Sequence, residues 1–241
     1  MMVAAVVARA ALVAMLVSAC GGGDGGKPVP AIDFGAQIFS DPRLSENPAN
    51  AYSCATCHAV TATPDPTRVY PGHTLYDSAF RASWWGGFEA EYMRAVNFCY
   101  VNFMRGPAAL EADDPKAMAL YEYLASISPG RPAPARPLTF TRYVQSLPPG
   151  DPARGEQVYA AACASCHGAL GTGTGRLSGV PSLPDAIDVT AKKFPSATPA
   201  VLVIEKVRHG QFWGVGGTSP PFSVDSLSDT DLSAVVAYLG R

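Results

Sequence analysis

The strongest constraint in this chain is a five-residue pattern that occurs twice, Cys54-Ala55-Thr56-Cys57-His58 and Cys163-Ala164-Ser165-Cys166-His167. C-x-x-C-H is the attachment signature of c-type haem. Each thiol adds to one vinyl group, and the two-residue spacer lets both sulfurs reach one edge of the macrocycle. The following His is then placed to ligate the iron. The chain has 241 residues, with six Cys and four His. A shuffled chain of that composition would hold about 0.002 such patterns. A zinc site needs four ligands per metal, and the remaining Cys and His cannot complete two of them. A thioredoxin-like pair lacks its βαβ context, and a disulfide framework leaves both His unexplained and Cys99 unpaired. The sequence therefore predicts two covalently bound haem c groups. Cys54, Cys57 and His58 hold one, Cys163, Cys166 and His167 the other, with His58 and His167 on the irons.

The patterns lie 109 residues apart, the sign of a tandem pair of domains. Phe34-Gly35 with Ile38-Phe39 precedes the first, and Arg154-Gly155 with Val158-Tyr159 precedes the second. Each half closes on an amphipathic helix that carries a Tyr-Leu pair, Tyr123-Leu124 and Tyr238-Leu239. The first such helix starts at Asp114-Pro115, with Met118, Tyr121, Leu124 and Ala125 expected on its apolar face. The second spans residues 229–239, with Leu232, Val235, Val236 and Leu239 at helical spacing. Between the halves, Pro129, Pro132, Pro134 and Pro137 predict a stiff, extended linker. With 23 Gly and 22 Pro, the remainder is loop-rich. The formal charge of −2 leaves no electrostatic footprint for nucleic acid.

The N-terminus has the shape of an address. Arg9 is followed by the apolar run 10–17, and Val17-Ser18-Ala19-Cys20 resembles the bacterial lipoprotein box, in which the Cys is acylated. A glycine-rich tether follows. The resemblance implies export to the bacterial periplasm and a membrane anchor through lipid on Cys20, with stable attachment needing more than one acyl chain. The expected organisation is a signal at 1–19, a tether at 20–30, a first domain at 31–128, a linker at 129–148 and a second domain at 149–241.

Motif order over nearly the whole mature chain resembles the class I cytochrome c fold, in which terminal helices cross at a Gly/aromatic contact. The resemblance implies an all-α protein of two tandem class I cytochrome c domains. Such carriers commonly place a Met-Pro on the far side of the iron, where Met raises the potential. No Met follows His167, and Ser219-Pro220 occupies that slot. His209 ends a helix opened by Thr198-Pro199 and closed by Gly210, and it competes with Lys192, Lys193, Lys206 or an open iron. In the first half, residues 89–105 predict one helix carrying Tyr92, Val96, Cys99 and Phe103 on one stripe. Cys99 and Met104 compete for the distal position there. Met118 is assigned to the core and His73 to a loop. Trp84-Trp85-Gly86-Gly87 and Phe212-Trp213-Gly214 are expected to cover the haems.

Asn97-Phe98-Cys99, followed by Met104-Arg105-Gly106, resembles the segment around the cysteine ligand of thiosulfate dehydrogenases, dihaem sulfur-oxidising cytochromes. Two functions are expected on these grounds. One is single-electron transfer between redox partner proteins at the cell envelope. The other is oxidation of a sulfur compound at a Cys99-ligated first haem, with Arg81, Arg94 and Arg105 as cations for its anion. Peroxide or gas chemistry would require an open second iron.

Overall fold

The computed structural model describes residues 29–128, 132–144, 146–217 and 219–241. The signal at 1–19, Cys20, most of the tether and Pro129 lie outside the described residues. Helices dominate what is described: α1 (Ala31–Ser40), α2 (Cys54–Cys57), α3 (Tyr92–Asn102), α4 (Pro115–Ser126), α5 (Pro152–Ala162), α6 (Ala164–His167), α7 (Asp185–Ala191), α8 (Pro199–His209) and α9 (Asp229–Tyr238). Among the described residues there is no strand, only isolated bridges, and no helix is long and apolar enough to cross a membrane. The protein is all-α and has the character of a cytochrome c fold.

Local chemistry explains where the helices start. Asp114 accepts from the Lys116 amide at 2.7 Å, Asp151 from Ala153 at 2.9 Å and Thr198 from Val201 at 3.3 Å. A proline stands within the first turn in each case, where its missing N–H costs nothing. Gly210 closes α8 with φ 73°, a left-handed position that suits glycine.

Each half has its own apolar core, one running from Ile38 to Leu124 and the other from Val158 to Leu239. α1 packs across α4, and α5 packs across α9. Both crossings depend on a missing side chain. A Cβ on Gly35 would overlap the Ala119 carbonyl and lie 2.7 Å from Tyr123 Cβ; on Gly155 it would overlap the Ala234 carbonyl and lie 2.7 Å from Tyr238 Cβ. The rings beside them repeat the arrangement, with Phe39–Tyr123 centroids 5.5 Å apart and Tyr159–Tyr238 centroids 5.7 Å apart.

Two sequence expectations are corrected. α4 buries Ala117, Leu120 and Leu124, while Met118 is 39% exposed and Tyr121 also faces outward. The face that approaches α1 carries Ala119 and Tyr123, which meet it at Gly35. α3 is shorter than 89–105, because residues 84–89 fold back as a tight turn. Trp84 and Glu89 exchange backbone hydrogen bonds there, and Trp85 and Gly86 take φ 52° and 68°.

The halves are joined along a seam. The Val69 amide donates to the Ala161 carbonyl at 3.0 Å, and Val69 packs on the second core. Linker residues touch both sides: His73 Nε2 is 2.6 Å from the Pro137 carbonyl, while the Thr139 amide donates to Asp225 at 2.5 Å. The described residues of the linker are free of helix, and they are also bound.

Candidate haem sites

Each C-x-x-C-H pattern opens onto its own apolar cavity. With their mouths included, the cavities hold about 1360 and 1620 Å³.

In the first, α2 is a single turn that carries Cys54 and Cys57, and the Ser53 amide donates to Thr56 Oγ1 at 3.0 Å to start it. His58 follows, with Nδ1 donating to the His73 carbonyl at 2.8 Å. That bond fixes the tautomer and leaves Nε2 free to bind a metal. Gly72 lies against the same ring, where a Cβ would overlap the imidazole, so the chain can approach only with glycine. Burial lowers the His58 pKa and favours the neutral form that ligates iron. It pushes the Cys54 thiol up to about 12.

The opposite wall comes from α3 and the turn after it. Tyr92, Val96, Cys99 and Phe103 all line the cavity, so the predicted stripe is the cavity face, and Met104 joins it. Cys99 and Met104 are both brought to the site. Burial pushes the Cys99 thiol up to about 12, which keeps it a neutral thiol in the absence of a metal. Arg81 lines this cavity, with its guanidinium on Asp77 and the Thr74 carbonyl, and Arg136 reaches the same Asp77 at 2.6 Å. Arg94 is on the surface beside Glu89, and Arg105 lines the other cavity. Of the three arginines named as cations for an anion at the first haem, only Arg81 lines its cavity. Arg136, Leu138 and Phe140 of the linker, with Pro220 and Pro221 of the second half, complete the lining. Nothing local in the sequence marks these residues, because they arrive from across the seam.

The second cavity repeats the proximal chemistry. His167 Nδ1 donates to the Pro181 carbonyl at 2.8 Å, and burial lowers its pKa as well. Cys163 is pushed up to about 12 by burial. Leu202, Val203, Lys206 and Val207 of α8 face the cavity, and Ser219 lies in its wall. His209 does not. Its Nδ1 is 2.9 Å from Glu205 Oε2 and its Nε2 is 2.5 Å from the Thr141 carbonyl. Both ring nitrogens of His209 are engaged, Nδ1 by Glu205 of the same helix and Nε2 by Thr141 of the linker, so the structure does not bring it to the site where the sequence placed it. Lys192 and Lys193 are likewise absent from the lining, whereas Lys206 is present.

The residues present fit a haem at both sites, with two unpaired thiols, one oriented imidazole and apolar walls. Among the described residues there is no group of three or more His, Cys, Asp or Glu that could hold a bare metal ion. The cavities also abut, because Tyr52, Cys57, Pro71 and Pro220 line both.

Residues 150–239 match the family described as cytochrome c oxidase, cbb3-type, subunit III. The second half is accordingly a cytochrome c domain, of the kind that binds haem c covalently and exchanges electrons with redox partners. No curated protein matches the chain. Among solved structures, it is similar to thiosulfate dehydrogenase (TsdBA) from Marichromatium purpuratum in its as-isolated form, with 20% identity and a TM-score of 0.42. That alignment covers 87% of this chain and 45% of the other, so the chain spans about half the length of that protein.

Proposed function

We propose that the chain is a dihaem c-type cytochrome that passes single electrons in the bacterial cell envelope. One observation carries the reading. Two cavities in contact each receive a Cys pair and a His whose Nδ1 is held by a backbone carbonyl. Haem c supplies the one-electron chemistry when bound. The chain attaches it through Cys54 and Cys57 and through Cys163 and Cys166. His58 and His167 ligate iron, and apolar walls exclude water. Acylation of Cys20 holds the protein at the membrane. The test is to express the chain with a haem-ligation system and weigh it. Two added macrocycles are expected, falling to one in Cys163→Ala/Cys166→Ala; a single macrocycle in the parent protein refutes the reading.

A second reading is favoured by Cys99, which lines the same cavity as His58. With Cys99 on the first iron, the site resembles that of enzymes that join two thiosulfates into tetrathionate and release two electrons. A low-spin thiolate signature lost in Cys99→Ala, together with tetrathionate formation, supports this reading. A Met signature lost in Met104→Ala, without turnover, leaves the carrier.

A further inference from the structure

The second cavity is lined by Arg68, Arg105 and Lys206 and by no Asp or Glu. Among the described residues, none of the three cations has a carboxylate within ion-pair distance. Arg68 is otherwise engaged. Its Nη2 donates to the Thr56 carbonyl at 2.8 Å, and its guanidinium lies 4.3 Å from the centre of the Tyr70 ring.

Arg105 and Lys206 converge instead. Lys206 Nζ donates to the Gly210 carbonyl at 2.7 Å and to that of Gly217. Arg105 Nη2 lies 3.8 Å from where a Cβ on Gly217 would stand. Two like charges thus meet at one glycine loop beside an apolar cavity, where the amine has neutral carbonyls as its acceptors. Burial lowers the Lys206 amine to about 8, a cost that a neighbouring anion would offset. The arrangement is short of an anion. Arg105 is nevertheless held in place. Its own backbone sits at φ 60°, its carbonyl accepts from Asn47 Nδ2 at 3.3 Å, and Met104 before it is buried in the first half.

Haem c carries two propionate carboxylates, and guanidinium–carboxylate pairing is strong and directional. We infer that Arg105 and Lys206 receive a propionate of the second haem, with Arg105 supplied across the seam by the first half. The inference rests on the dihaem reading above.

The test is an EPR-monitored redox titration of the full haem-loaded chain, in which the second haem's signal is the one abolished by Cys163→Ala/Cys166→Ala. A count of two haems by mass comes first; its failure refutes the dihaem reading, whatever the titration gives. Removing a cation beside a propionate favours the ferric form. Arg105→Gln and Lys206→Gln are therefore expected to lower the second haem's midpoint potential more than the first's. Arg105→Lys should restore it. Arg43→Gln, at a side chain 89% exposed, should change neither. An unchanged potential in Arg105→Gln overturns the inference. So does a new ferric spin state in Lys206→Gln, which would put the amine on the iron. A third result against it is a parent potential that shifts saturably with added sulfate and no longer does so in Arg105→Gln. That outcome would assign the pair to a free oxyanion.

Discussion

Asp77 shows how much one carboxylate can organise. It accepts from Arg81, which is 8% exposed, and from Arg136 of the linker, and it anchors the wall of the first cavity. Burial works against its charge, but the hydrogen bond from Arg81 and the two guanidinium charges outweigh it and hold the carboxyl below its usual range. A depressed folded pKa gives stability that is present above the ordinary carboxylate value and is lost as pH falls through the lowered one. Asp77→Asn should therefore cost about 3 kcal/mol at neutral pH, the low end for breaking a buried pair. It should also flatten the acid limb of stability, measured by urea melts from neutral pH down to pH 3. Gly72 constrains the same site sterically. Gly72→Ala pushes a methyl into the His58 imidazole, and the expected result is a changed ferric spin state at one haem only, read by EPR. His209 shows what residue spacing conceals. It follows His167 by 42 residues, as Cys99 follows His58 by 41, and this places it in the right helix. On a helix of 100° per residue, Lys206 shares the cavity face with Leu202 and Val203, while His209 falls in line with Glu205. The sequence holds that i, i+4 pair openly, but only packing decides which stripe turns inward.

At the scale of elements, the paired crossings are the most legible part of the molecule. Gly35 and Gly155 precede their motifs, by 19 and 8 residues because the first half carries extra turn residues between them, and Tyr123 and Tyr238 close the halves. The helices that carry them cross where the glycines permit backbone contact. Each of Gly35→Ala and Gly155→Ala should cost about 1–3 kcal/mol by overpacking. For a half of this size each kcal/mol is a fall of about 4–8 °C in melting temperature. Calorimetry of the holoprotein should show each substitution lowering the transition of its own half. α4 was legible in its cap, Asp114-Pro115, but not in its buried face. α1 meets α4 at Ala119 and Tyr123, and the helix turns Ala117, Leu120 and Leu124 inward and Met118 outward. The charged and aromatic stretch before Tyr92 reads as helix by composition, yet Gly86 and Gly87 allow a reversal that positions Trp84 and Trp85 along the first cavity.

At the scale of the whole molecule, the linker behaves as a strap. It pairs with residues 80–82 through Ala133, meets His73 through Pro137, and is held at Thr139 by Asp225 and at Thr141 by His209. Its stiffness could be read from its prolines, but its attachments could not, since every partner is distant in sequence. His209→Ala should release the Thr141 end. Limited proteolysis should then cut within 132–144 faster than in the parent protein, with both ferric haem spectra unchanged. A lost or shifted spectrum at the second haem would return His209 to the iron.

Met104 and Arg105 are neighbours in the chain, yet one side chain lines the first cavity and the other lines the second. A single peptide unit thus joins the walls of both cavities. Dividing this gene at the proline-rich segment would produce two fragments, each with its own motif. The C-terminal one would lack a positive charge that no redesign confined to its own residues would restore in the same place.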